Sequence, residues 1–169
     1  SGLFPDGNCL GIVTISGGVG ILMSDYAVTL GVDVARLSEA AQAKVREIIP
    51  FAGTRNPVDI TAQAFNDLSL VTANLDVMLE ERTYDAIVAF FTFVAAAKAM
   101  VDPISETLRA AKQRHPDCLL VLSIVGPPEI VRRYEEVGCP VFEDPARAVR
   151  VVEALSRFSE AFARRTPPV

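Results

Sequence analysis

Five short apolar runs, separated by longer stretches with helical spacing, constrain this chain more than any other feature of it. The runs fall at residues 10–15, 32–35, 86–91, 119–125 and 141–142. Between and after them, Val45, Ile48 and Ile49 form one stripe; Leu68, Val71, Leu75, Met78 and Leu79 form a second, and Val149, Val152, Leu155, Phe158 and Phe162 a third. Recurrence at three and four residues gathers apolar side chains on one face of a helix. Strands that alternate with helices are joined by crossovers, so they pair in parallel and the helices cover the sheet. Element ends are marked too: Gly31 and Gly138 follow helical stretches, and Asp102-Pro103 and Asp144-Pro145 read as N-caps with proline at the first helical position. With 169 residues, 50% of them hydrophobic, the chain can bury one sizeable core. The expected organisation is a linker at 1–9, one domain at 10–163 and a tail at 164–169.

This pattern predicts a three-layer α/β fold of the flavodoxin-like, Rossmann type, with a parallel sheet in the order 2-1-3-4-5. In such a sheet the winding reverses between the first and third strands, and ligands sit in the crevice outside the carboxyl ends there. One lip of that crevice is Ser16, Gly17, Gly18, Val19 and Gly20, where an apolar strand passes through glycines straight into a helix. The first N–H groups of a helix have no intrahelical acceptor and carry the positive end of its dipole, so they hold phosphate or carboxylate, and small glycines let the anion approach. The same glycines also suit a tight, closely packed turn; the spacing is neither a dinucleotide fingerprint nor a P-loop, and both readings stand at this point. The other lip is the segment from Thr92 to Asp102. A third loop offers Asn56, Asp59 and Thr61 to the same crevice, although Asn-Pro and Asp-x-Thr are also ordinary turn formers.

A formal net charge of -5 argues against nucleic acid or an anionic membrane as partner. The most apolar run, 86–100, is shorter than the roughly 20 residues needed to cross a bilayer. Three cysteines, Cys9, Cys118 and Cys139, lie in apolar surroundings without a redox motif, which fits reduced thiols and a cytoplasmic location. The single histidine, His115, sits at a helix end before Pro116, so neither a metal cluster nor a Ser-His-Asp triad is expected.

Four segments, in this order and spacing, resemble one family: LGIVTISGGVGILMSD at 10–25, PFAGTRNPVDIT at 50–61, YDAIV at 84–88 and GCPVFEDPARAV at 138–149. The family is that of the flavodoxin-like, succinyl-CoA-synthetase-type domain of NDP-forming acyl-CoA synthetases, the ADP-forming acetyl-CoA synthetases among them. The resemblance implies a multidomain ligase that interconverts acyl-CoA, phosphate and NDP with acid, CoA and NTP through an acyl phosphate and a phosphohistidine. It also implies CoA and ATP or ADP as ligands of the parent protein, and a CoA-binding domain and an ATP-grasp domain as partners. In the family, the loop matching Ser16 to Gly20 faces the phosphohistidine. In this chain the matching histidine position falls at or beside Pro103, and Thr92 stands where the succinate branch has an orienting glutamate. No catalytic residue and no bound cofactor are therefore assigned to this chain, and the isolated domain is expected to be inactive. Two functions remain: the central, anion-binding domain of such a ligase, or a synthetase-like module that senses a ligand without turning it over, as when fused to a protein acetyltransferase. A sheet edge and apolar residues left without neighbours also make a homodimer an expectation.

Overall fold

The computed structural model describes residues 3–165, leaving out the side chains of Phe65 and Arg165. Ser1, Gly2 and the residues of the expected tail from 166 onward lie outside it. In chain order the elements are β1 (Leu10–Thr14), α1 (Gly17–Thr29), α2 (Glu39–Ile48), β2 (Gly53–Thr54), β3 (Val58–Asp59), α3 (Ser69–Glu80), β4 (Ala86–Phe90), α4 (Lys98–Arg114), β5 (Leu119–Ser123), α5 (Pro128–Glu136), β6 (Val141–Phe142) and α6 (Pro145–Arg165). Single turns of 3₁₀ helix occupy Ala62–Phe65 and Thr92–Ala96. The sheet has six strands in the order β2-β3-β1-β4-β5-β6, parallel except for the β2–β3 pair. Without β2 this is the expected 2-1-3-4-5 order; the antiparallel edge strand is an addition.

Alternation along the strands splits the core in two. Leu10, Ile12, Val88 and Val121 face α1 and α6 through Met23, Ala27, Val149 and Val152. Val13, Ile87, Leu120 and Leu122 face the other way, toward Val45, Leu75, Met78, Leu108 and Tyr134 of α2 to α5. Gly11 belongs to this second side, and a Cβ there would lie 2.9 Å from Met78 Cε, so the missing side chain is what lets α3 pack on β1.

The second strand is not at 32–35. That segment meets β1 through one bridge, Cys9 with Asp33, and Val58–Asp59 then takes over at Val13 and Thr14. Between the two contacts the Asn56 side chain does the pairing: its Oδ1 accepts from Ile12 N–H (2.9 Å), and its Nδ2 donates to the carbonyls of Leu10 and Ala35 (2.9 Å each). A side-chain amide thus satisfies β1 backbone groups that a strand at 32–35 was expected to satisfy.

One further expectation needs correction. Helix α4 starts at Lys98, capped by extended Ala97, so Asp102 and Pro103 lie inside it, and Asp102 is no N-cap. The proline removes one intrahelical donor without ending the helix. The amino-terminal segment also packs as part of the domain: Asn8 joins Gly31 and Asp33, and Cys9 N–H donates to Asp85 Oδ2 (2.9 Å). At the other end α6 runs on to Arg165. The signals at Asp144, Gly31 and Gly138 hold: Asp144 Oδ1 accepts from Ala146 N–H (2.8 Å), and the two glycines have φ of 77° and 88°.

Candidate functional site: the crevice at the carboxyl ends of β1 and β4

Past the sheet, Ile15 N–H still donates to Phe90 O (3.3 Å), and there the two chains part. One enters α1 on one face of the sheet; the other turns through Thr92–Ala96 into α4 on the opposite face. The crevice predicted at the winding reversal therefore lies between the glycine loop and the 92–96 turn.

Thr14 shapes the first lip. Its fully buried hydroxyl accepts from Ser16 N–H (2.9 Å) and donates to Ser16 O (2.8 Å), folding the chain tightly onto itself at the strand end. Ser16 is the N-cap, with φ −141° and ψ 108°, and its own hydroxyl caps nothing. Gly20 N–H closes the first helical bond onto Ser16 O (3.0 Å). Among the described residues, the N–H groups of Gly17, Gly18 and Val19 have no protein acceptor. The three glycines differ in what requires them. A Cβ at Gly17 would meet Asp59 Oδ2 at 2.7 Å, and one at Gly20 would meet Thr14 Cγ2 at 2.8 Å and Pro57 Cβ at 3.0 Å, whereas one at Gly18 would meet nothing within 4 Å. Gly17 and Gly20 are needed for packing; Gly18 simply leaves the helix end open.

Asp59 and Thr61 come to this lip, and Asn56 does not. Asp59 Oδ1 accepts from Thr61 N–H (2.9 Å), while its other oxygen lies against Gly17, so a carboxylate already faces the positive end of α1. Thr61 has φ 59° and its hydroxyl oxygen accepts from Gln63 N–H (3.2 Å). Asn56 is buried and its amide is committed to β1 and Ala35, which leaves nothing of it for a ligand.

On the second lip Thr92 has φ 45°. β-Branched residues avoid the left-handed region, so Thr61 and Thr92, one on each side of the α1 terminus, mark backbone held in place by its surroundings. The 92–96 turn is clamped from behind. Tyr134 of α5, fully buried, donates from its hydroxyl to Ala95 O (2.7 Å), Thr92 O accepts from Val125 N–H (3.3 Å), and a Cβ at Gly126 would lie 2.6 Å from Ala96 Cβ. Neither this clamp nor the Asp59–Gly17 contact has a local sign in the sequence, because each joins residues far apart in the chain. Asp102 stands outside the crevice: it is exposed and paired with Arg133 of α5.

Among the described residues, no second cluster of reactive groups is assembled around the crevice. His115 caps the far end of α4, at the amino edge of the sheet, in a cleft of about 210 Å³ that it shares with Arg82, Tyr84, Arg114 and Cys118. Burial pushes the Cys118 thiol up to about 12 and that of Cys139 to about 11, and it also raises Cys9, so these thiols stay protonated and are poor nucleophiles. Among the described residues no group of three or more His, Cys, Asp or Glu could hold a metal ion, and no helix is long and apolar enough to cross a membrane.

Fold and crevice define the class: a doubly wound α/β domain with a glycine-lined helix terminus open at its winding reversal. The chain belongs to the Ligase-CoA domain family, whose model matches residues 10–152. It is 26% identical over 160 residues to acetate-CoA ligase (ADP-forming) I subunit alpha of Pyrococcus furiosus, covering 92% of this chain and 34% of that protein. It is 28% identical over 156 residues to acetate-CoA ligase (ADP-forming) I of Archaeoglobus fulgidus, covering 92% of this chain and 22% of that protein. Solved structures share the fold: a Pyrococcus horikoshii protein at TM-score 0.77 and 22% identity, covering 94% of this chain and 37% of that one. Acetyl-coenzyme A synthetase 1 of Ca. Korarchaeum cryptofilum, solved with phosphate and ADP, matches at TM-score 0.74 and 20% identity, covering 98% of this chain and 36% of that one. The chain thus spans between about a fifth and two fifths of the length of these proteins.

Proposed function

We propose that this chain is the central domain of an NDP-forming acyl-CoA synthetase and that its α1 terminus holds a phosphate or phosphoryl group during the reaction. The parent reaction is acyl-CoA plus phosphate to acyl phosphate plus CoA, followed by acyl phosphate plus NDP to acid plus NTP. The observation that carries the reading is the set of three N–H groups, Gly17 to Val19, left without acceptors at the open crevice of a Ligase-CoA family domain. Ser16 is placed to add a hydroxyl, its own being free of any capping bond. That the Korarchaeum relative was solved with phosphate and ADP supports phosphate as the ligand class. Preorganised backbone donors suit a group whose negative charge is spread over several oxygens, and they need no reorganisation when charge develops. CoA and ATP or ADP are then bound by other domains, a CoA-binding and an ATP-grasp unit, in keeping with the length of the relatives outside this module.

The single histidine of this chain does not stand at the crevice. The position the family resemblance gives to the histidine falls at or beside Pro103, inside α4, and His115 is at the opposite edge of the sheet. Under this reading a histidine nucleophile comes from another domain. The same observation favours a second reading, in which the module binds its anion and reports on it to a neighbouring domain without turnover. One experiment separates the two: the full-length polypeptide, given acyl-CoA, phosphate and ADP, releases CoA under the first reading and stays at background under the second. In either case, the isolated chain incubated with labelled acyl phosphate or ATP gains no acid-labile phosphate; stable label on His115 would place that histidine within reach of the phosphoryl donor and overturn both readings.

A further inference from the structure

Helix α6 outruns the domain it covers. Up to Ser156 it packs on α1 and the sheet through Ala148, Val149 and Val152, whereas from Arg157 to Arg164 none of its side chains is buried. Water favours a polar helix there, yet an apolar strip continues. Phe158 is 57% exposed, beside a hollow of about 310 Å³ lined by Ala154 and Ala161. One turn on, Phe162 meets Phe4 edge to face, with ring centroids 5.9 Å apart. Helical spacing sets Glu153, Arg157, Glu160 and Arg164 along one flank of this strip. Arg157 pairs with Glu153 and Arg164 with Glu160, at 3.2 Å each, and a guanidinium has N–H donors enough for a second carboxylate.

The order of these charges identifies what fits them. Read from the other end, glutamate, arginine, glutamate, arginine becomes arginine, glutamate, arginine, glutamate. We infer that α6 is the face through which two copies of this chain associate, antiparallel about a two-fold axis passing between Phe158 and Ser159. That register sets Glu153 opposite Arg164 and Arg157 opposite Glu160, and the symmetry repeats both pairs. It also sets Ala154 opposite Ala163, which lets the helices approach, and turns each Phe158 toward the hollow of the other copy. A parallel copy would bring each charge against its like. The apolar strip supplies the contact, and the charges fix orientation and register. The homodimer expected from the sequence thus acquires a face, which is the projecting end of α6 and not the β2 edge of the sheet. Ser156 and Glu160 share a cleft with Asn8 and Gly31 at the amino edge, so the pairing leaves the crevice at the carboxyl edge open.

Sedimentation equilibrium of the 169-residue chain should show reversible association to a dimer. Phe158→Ser, at an exposed position that leaves the core intact, should weaken it at least about tenfold. A sign-exchanged variant, Glu153→Arg, Arg157→Glu, Glu160→Arg, Arg164→Glu, keeps both pairs within the helix, so α6 stays folded, and it remains complementary to itself. It should dimerise as readily as the unaltered chain. Mixed dimers of the two bring arginine against arginine and glutamate against glutamate, so native mass spectrometry should find them at least about tenfold rarer than random exchange gives. A chain that stays monomeric at about 1 mM overturns the proposal. A dimer unchanged by Phe158→Ser overturns it too, as do mixed dimers as abundant as random exchange allows, for then another face, such as the β2 edge, holds the copies together.

Discussion

Gly18 and Gly20 are two residues apart in the same helical turn, yet replacing each by alanine should move stability in opposite directions. At Gly20 the new Cβ would lie 2.8 Å from Thr14 Cγ2 and 3.0 Å from Pro57 Cβ. Carbon atoms pack best at about 3.5 to 4.0 Å, so the methyl group overlaps on two sides. Thr14 cannot yield easily, because its hydroxyl is bonded to both the N–H and the carbonyl of Ser16. Overpacking of this kind costs about 1 to 3 kcal/mol, partly offset by the roughly 0.5 kcal/mol that alanine gains over glycine near this helix end. The net loss of about 0.5 to 2.5 kcal/mol corresponds to a fall in Tm of roughly 1 to 10 °C for a domain of this size. At Gly18 no atom lies within 4 Å of the Cβ, so only the helix-propensity gain remains, about 0.5 kcal/mol and a rise of roughly 1 to 2 °C. Thermal unfolding followed by circular dichroism decides between them. Equal destabilisation at the two positions, or a larger loss at Gly18, would refute the packing argument for this loop.

Other outcomes follow from the same geometry. Asp59→Asn retains an oxygen for the Thr61 N–H but removes the charge beside Gly17, so phosphate should bind the isolated chain more tightly, by about 1 kcal/mol or roughly fivefold, with less gain at high salt; weaker binding would make Asp59 part of the ligand site. Tyr134→Phe deletes the donor to the buried Ala95 carbonyl, costing about 1 to 3 kcal/mol, and should speed hydrogen exchange at 92–96 more than in α1; an even change across the domain would leave the tyrosine with no positioning role. Because Cys118 and Cys139 titrate near 12 and 11 when folded, against 9.0 when free, the native state holds their protons more tightly. The stability they contribute is full below pH 9 and declines as pH rises through 11 to 12, and denaturant midpoints across that range should fall less steeply in a Cys118→Ala, Cys139→Ala variant.

Much of the architecture is written locally. β1, β4 and β5 are apolar runs of five residues between turn signals, and α1, α5 and α6 have readable ends at Gly31, Pro128 and Asp144. What escaped sequence reading depends on contacts between distant residues. No periodicity reveals that the Asn56 amide completes β1, since the partners are 44 and 46 residues away. β3, with two residues, is too short to register as a strand, while 32–35 reads as one and pairs through a single bridge. Asp102-Pro103 carries a helix-start signal, yet α4 begins four residues earlier, at Lys98, directly after the 92–96 turn. For the site, the glycine loop stood out because strand, turn and helix are contiguous; the role of each glycine did not, because it depends on Asp59 and Pro57 from another crossover.

The central claim is that the α1 terminus, and not another part of this surface, receives an anion. Titration of the isotope-labelled chain with inorganic phosphate, followed by amide chemical shifts, tests it most directly. Saturable shifts centred on Gly17, Gly18 and Val19 are expected, reaching Thr61 and Thr92 on the flanking loops. A single helix terminus contributes only about 0.3 to 1 kcal/mol to an exposed anion, so the affinity should be of millimolar order and should fall with added salt. Shifts spread over scattered surface lysines and arginines, or confined to the cleft around Arg82 and Arg114 at the amino edge, would contradict the account and leave the glycine loop a packing turn.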